Sequence, residues 1–265
     1  MQADVPATQT LSDRIDPARA AALHAVLGRD GAPPASGDPL PAFWHQVYFW
    51  QAAAPGALGA DGHPATGGLI PDLDLPKRMW AGGRLTFHAP FLCGVRAERT
   101  TRVVSVTEKT GRTGPLGFVT LRHDVRQRGT LVISEEQDLV YRAQDAPAGA
   151  PTIAPRDAEE EVPVSFDTVA LFRYSALTFN GHRIHYDADF ARASEGYPGP
   201  VVHGPLLAQQ LMQLAEARQG QLARFAFRAT APLFAGEEAR LCRRGADYWV
   251  RGPEGRLCMT AEARA

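Results

Sequence analysis

Hydrophobic spacing sorts this chain into a few kinds of stretch. Residues 17–28 open with Pro17 after Asp16 and close at Gly28, the start and stop grammar of a short helix. From Arg84 to Arg142 the pattern changes to short β-type runs, Arg96–Thr107, Leu116–Val125 and Leu131–Tyr141. Glycine-bearing turns at Thr110–Gly114 and Gln127–Gly129 separate them, which predicts an antiparallel meander. Farther on, Leu206, Leu207, Gln210, Leu211 and Leu214 recur at helical spacing, so Pro205–Ala217 reads as a helix with one buried face. Strands follow near Ala223–Thr230, Glu238–Arg243, Asp247–Arg251 and Leu257–Ala261.

The connecting stretches have their own composition. Phe43–Trp50 is the most aromatic part of the chain and reads as core. Residues 31–41 and 55–76 are rich in glycine and proline and read as surface loops. Ala143–Val162 carries Pro147, Pro151, Pro155 and the run Glu159-Glu160-Glu161, the composition of a linker with a solvated charge run. A partial repeat lies on either side of it. Leu85–Gly94 and Ala226–Gly236 each hold an apolar strand, a proline and a glycine four residues later. The expected organisation is therefore an N-terminal half, 1–145, a linker, 146–162, and a C-terminal half, 163–265. The motifs that bear chemistry occur only in the second half.

Composition narrows the function classes. The 265 residues are 45% apolar and 22% charged, ordinary for a packed globular domain, and the formal charge of −1 leaves no global field to draw nucleic acid or an anionic membrane. Cys93, Cys242 and Cys258 are odd in number and lack Cys-x-x-Cys spacing, which argues against a disulfide framework and for a reducing, cytoplasmic setting. Residues 1–25 hold Asp4, Asp13 and Asp16 and no continuous apolar segment, so neither a secretory nor a transit peptide is expected. No apolar run approaches the roughly 20 residues that span a bilayer.

Candidate chemistry gathers in Leu171–Asp187 and Gly199–Leu206. Gly204 stands directly before a proline-started helix, where a bare N–H faces outward at a positive helix end. His182 and His185 form His-x-x-His with Asp187 nearby, but the segment is turn-like and shows no third ligand at motif spacing, so no metal is expected. Dinucleotide, phosphate-loop and nucleophile-elbow motifs are missing.

The order Tyr174, Leu177, Thr178, Asn180, Ile184, His185 and Ala191, followed by Val202-His203-Gly204-Pro205-Leu206, resembles the signature of the MaoC-like, or type 2, enoyl-thioester hydratases. Lys77–Gly83 and Val106–Gly111 extend the likeness to a narrower branch, related to mesaconyl-C4-CoA and itaconyl-CoA hydratases and to fungal mitochondrial 3-hydroxyacyl thioester dehydratases. The resemblance spans residues 35–265 and implies an α+β double hot-dog, two antiparallel sheets each wrapped around a long helix. It implies an acyl-CoA substrate, with acyl-ACP second, and no separate cofactor, since CoA is part of the substrate. It also implies a chain that is complete as a monomer, with a homodimer expected.

Two departures from the broad pattern Gly-Asp-x-Asn-Pro-x-His bear on mechanism. Asn180 stands for the usual Asp, while His182 and Arg183 stand for the usual Asn and Pro, and the narrower branch carries the same Asn-Gly-His-Arg-Ile-His. The resemblance implies that His185 is the base, that Asn180 orients the water, and that Gly204 N–H holds the developing oxyanion. The Cα proton is left to the water or to His182. Arg183 is a candidate for a second carboxylate on the acyl group or for the CoA phosphates; Arg173, Arg78 and Arg84 stand behind it. Tyr174, Val202 and His203 complete the candidate substrate-binding set. Against a C5 dicarboxylic enoyl-CoA hydratase stand a (3R)-hydroxyacyl-thioester dehydratase, a hot-dog thioesterase and a non-catalytic acyl-thioester binder.

Overall fold

The computed structural model describes residues 8–64, 68–111, 114–143 and 151–265. The middle of the expected Thr110–Gly114 turn and residues 146–150 of the expected linker lie outside them.

Ten strands form one antiparallel sheet. The N-terminal half contributes β1 (Thr8–Arg14), β2 (Lys77–Phe87), β3 (Arg96–Gly111), β4 (Gly114–Gln127) and β5 (Thr130–Arg142). The C-terminal half contributes β6 (Glu160–Ser165), β7 (Arg224–Ala229), β8 (Glu238–Arg244), β9 (Asp247–Arg251) and β10 (Leu257–Arg264). From the outer edge inward the orders are β1-β3-β4-β5-β2 and β6-β8-β9-β10-β7, the same path walked twice. The halves meet where β2 pairs β7, Gly83 opposite Phe227 and Leu85 opposite Phe225. These are the strands of the sequence repeat, so the two copies pair with each other at the seam. The repeat's glycines are equivalent too: Gly94 N–H donates to Ile15 O and Gly236 N–H to Phe166 O, each at a positive φ that suits glycine.

Each edge strand leads into a helix capped by aspartate. Asp16 starts α1 (Pro17–Val26), and Asp167 starts α2 (Thr168–Thr178), its carboxylate accepting from Ala170 N–H at 2.7 Å. A short helix α3 (Ala188–Ala193) precedes the long α4 (Gly204–Gln219), whose Leu206, Leu207, Leu211, Met212 and Leu214 are buried against the C-terminal strands. The N-terminal half departs from its twin here. Among the described residues it has no helix of α4's length. The 3-10 turn Trp44–Val47 and its neighbours Phe43, Tyr48 and Phe49 fill that hollow with buried rings, as the aromatic run predicts, but Trp50 at the end of the run is exposed, its ring stacked on Phe179 at 5.2 Å. Gln209 and Glu216 of α4 hydrogen-bond Ala42 O and N at 3.1 and 2.9 Å, which locks the helix to the other half.

Three elements were not anticipated: β1, α2 and β6. The last lies partly within the expected linker and corrects the reading of the glutamate run as simply solvated. On this edge strand Val162 and Val164 face the core while the acids face arginines: Glu160 pairs with Arg218 and Arg243, and Glu161 with Arg251 at 2.5 Å. All three cysteines are free and buried, and among the described residues no helix is long and apolar enough to cross a membrane.

Candidate active site

The site begins where α2 stops. Phe179 adopts a left-handed conformation that ends the helix and turns the chain through Asn180-Gly181-His182. Asn180 Oδ1 accepts from His182 N–H at 3.0 Å, an Asx turn that leaves the amide NH2 without a protein partner among the described residues. A 3-10 turn follows at Arg183–His185. Val201 N–H donates to Ile184 O at 2.9 Å, which fastens this turn beside the segment that enters α4.

His185 is buried, and its Nδ1 lies 2.7 Å from Val201 O. A carbonyl oxygen can only accept, so Nδ1 carries the proton and Nε2 is left with its lone pair. Burial pushes the ring down to about 4, against a smaller opposing effect of the Val201 hydrogen bond, so at neutral pH it is an uncharged base in one tautomer. His203 stacks on it at 3.7 Å between centroids and 18° between planes. That ring is wholly buried, its Nε2 is 2.8 Å from Ser175 Oγ, and Tyr174 meets it edge-on at 5.0 Å. Burial first, and the neighbouring histidines second, hold His203 neutral as well.

On the other side His182 stands at 5.4 Å from His185, edge to face, and His63 lies 4.1 Å from His182. His63 comes from the N-terminal half, in the turn Gly59–His63 that the bridge Leu58 to Pro64 closes. Asp61 shapes this turn, accepting from His63 N–H at 3.0 Å and from His63 Nδ1 at 2.9 Å. Burial opposes ionisation of Asp61, but the hydrogen bonds from His63 keep it well below the usual carboxylate range. The turn is docked on the motif itself. Arg183 N–H donates to Asp61 O at 2.9 Å, and Gly62, at φ +85°, packs so closely that a Cβ would run into the Gly181 carbonyl.

The expected site residues thus sort by depth. His185, His182 and Asn180 lie together on the turn after α2, and Val201–His203 carries the chain from that turn into Gly204 at the start of α4. Tyr174, Val202 and His203 are buried behind the His185 ring. Arg183 lies outermost. Its guanidinium bonds Asp187 at 2.7 and 3.1 Å and Ala60 O at 3.2 Å and covers the Phe190 ring at 4.2 Å, so it clamps the docked turn and is not a free cation for substrate. A Cβ on Gly204 would meet only Trp80 O, at 3.8 Å, so the protein itself has room for a side chain there and the vacant space is open to a ligand. Sequence reasoning missed Asp61 and His63, placing them in a plain surface loop. The signal was Asp-Gly-His, a spacing that lets an aspartate cap the turn and hold the ring. With His182 they bring three potential metal ligands within 4.8 Å of one another. Burial first, and the nearby charge of Arg78 as a lesser cause, hold both histidines below their ordinary range.

Comparison with known proteins agrees with this geometry. A family model described as hydroxyacyl-thioester dehydratase type 2 matches residues 43–235. The mesaconyl-C(4)-CoA hydratase of Chloroflexus aurantiacus is 44% identical over 268 residues, covering 96% of this chain and 94% of that protein. Among solved structures, HtdX of Mycobacterium tuberculosis matches with a TM-score of 0.71 at 21% identity, covering 98% of this chain and 100% of that one. A second M. tuberculosis protein, described as having a double hotdog fold, matches with a TM-score of 0.59 at 16% identity, covering 98% and 96%. At these identities the two structures speak for the fold alone, and the fold is the double hot-dog.

Proposed function

The chain belongs to the hydroxyacyl-thioester dehydratase type 2 family, and on that premise we propose that it adds water reversibly to a branched C5 dicarboxylic enoyl-CoA, mesaconyl-C4-CoA foremost and itaconyl-CoA second, giving citramalyl-CoA. The observation that carries this reading is the His185 ring, its Nδ1 fixed on the carbonyl of Val201, which lies just before the start of α4, and its Nε2 without a hydrogen-bond partner among the described residues. The near full-length identity to the Chloroflexus hydratase supports the choice of acyl group.

In the hydration direction His185 Nε2 takes a proton from water while the hydroxyl oxygen bonds Cβ. In mesaconyl-C4-CoA the double bond is conjugated with the thioester, so its electrons pass to the thioester oxygen, which the N–H at Gly204 receives at the positive end of α4. The imidazolium then returns its proton to Cα and the ring is neutral again. One ring performs both transfers, so a carboxylate at position 180 is not needed; Asn180 donates its NH2 to the water oxygen and orients it. Run backwards, the same steps dehydrate a 3-hydroxyacyl thioester. A thioesterase would need a carboxylate free to activate water, whereas both oxygens of Asp61, the acid beside His182, are taken by His63. The substrate brings its own CoA, and the reading requires no other cofactor. Three buried thiols suit a cytoplasmic setting, and because one chain supplies both halves, the site is complete in a monomer and a homodimer would hold two.

The test is a paired assay. Purified protein with mesaconyl-C4-CoA should lose enoyl absorbance without releasing free thiol. Thiol release without hydration would make it a thioesterase, and neither signal would make it a binder.

A further inference from the structure

A dicarboxylic acyl group brings a second charge beside the reacting carbons, and a carboxylate leaving water needs a cation with matching donors. Arg183 is committed elsewhere. The opposite wall offers a groove between the start of β2 and the turn after α2, lined by the cations Lys77, Arg78 and Arg142, by His182, and by two acids that are already engaged, Asp61 with His63 and Glu195 with Lys77. Of its cations, Lys77 pairs with Glu195 at 3.2 Å. Neither Arg142 nor Arg78 forms an ion pair among the described residues; each meets a tyrosine hydroxyl, Tyr197 and Tyr141 respectively, and a neutral hydroxyl balances neither charge. Of the two, Arg78 is the one that acts on the site histidines. That charge reaches His63 and His182, helping to hold both rings neutral after burial has done most of it.

The strand supplies the ruler. β2 passes the start of α4 at Trp80, whose carbonyl faces Gly204, and borders the His182 groove at Arg78. Two residues of strand span about 6.6 Å, the scale of a four-carbon diacyl chain with its thioester carbonyl at one end and its carboxylate at the other. We infer that Arg78, from the N-terminal half, holds the distal carboxylate of the substrate and makes the enzyme prefer dicarboxylic over plain acyl thioesters. This rests on the hydratase reading for its purpose, but not for its measurement.

The experiment is binding of two CoA esters that cannot be hydrated, succinyl-CoA and butyryl-CoA, measured by calorimetry on the full chain. They share a four-carbon length and differ in the terminal carboxylate. The wild type should bind succinyl-CoA at least tenfold more tightly. Arg78→Met should bring that ratio to within threefold of one, and Arg78→Lys should keep part of it. An unchanged ratio in Arg78→Met, or equal weakening of both ligands as expected for a hold on CoA phosphates, overturns the assignment. The hydratase reading is judged separately by the absorbance assay: selective binding without hydration of any enoyl-CoA would sink that reading and leave Arg78 standing.

Discussion

At the scale of single residues, the site is a column of imidazoles kept uncharged by burial. His63, His182, His185 and His203 follow one another in ring contact, and each is held below its ordinary range, chiefly by loss of solvent. His185→Gln keeps a planar polar side chain but no base, so hydration should fall by about 10²–10⁴-fold with the fold intact. Because the folded ring titrates at about 4 and the unfolded one near 6.5, the unfolded chain binds the extra proton between those values. Stability should therefore be full above about pH 6.5 and decline toward pH 4, by roughly 3 kcal/mol from His185 alone. The other three histidines act in the same direction. Urea melts at pH 7 and 4.5 check this: equal midpoints would refute the neutral column, and His185→Gln should shrink the difference. Most of this was not legible beforehand. His185 and His203 both stood out in the motif, but their stacking was not written in the spacing, and His63 joins them only when a turn of the N-terminal half is folded onto the motif.

At the scale of elements, the decisive one is the start of α4. Gly204-Pro205 announced it in the sequence, and the helix starts there. Glycine is not required by the fold at this place: φ is not positive and a Cβ would sit 3.8 Å from its nearest neighbour, an ordinary contact. Gly204→Ala should accordingly leave the thermal midpoint within a few degrees, while hydration drops by about 10–100-fold because the methyl group occupies the space the thioester oxygen needs. A large loss of stability with normal activity per folded molecule would overturn that role. α2 and β6 were harder to read for different reasons. The apolar residues of α2 are spread over exposed and buried faces, Val169 and Phe172 lying largely in water. The charges of β6 resemble a linker until arginines of β8, β9 and α4 are set against them.

At the scale of the whole molecule, the two halves are one sheet and one core. β2 and β7 share a ladder, Phe43 packs edge-on against Phe227 at 6.0 Å, and α4 is hydrogen-bonded to Ala42 across the divide. Residues 151–265 expressed alone would expose that seam and the inner end of α4, so the fragment should aggregate or remain inactive, and adding residues 1–150 as a separate chain should restore hydration only if the two pieces reassociate. Autonomous activity of the C-terminal piece would contradict a substrate-holding role for Arg78.

What the sequence determined by itself was local in character: the meander, the long helix, the repeat and the motif around His185, each set by spacing or by contiguous residues. The tertiary structure decided which distant groups share the site. It tied Arg183 to Asp187, brought Asp61 and His63 onto His182, and ran β2 past the helix start so that Arg78 faces the groove. Spacing along a chain fixes faces and turns because backbone geometry is periodic. Contacts between segments more than a hundred residues apart depend on how the faces pack, and no local period encodes that.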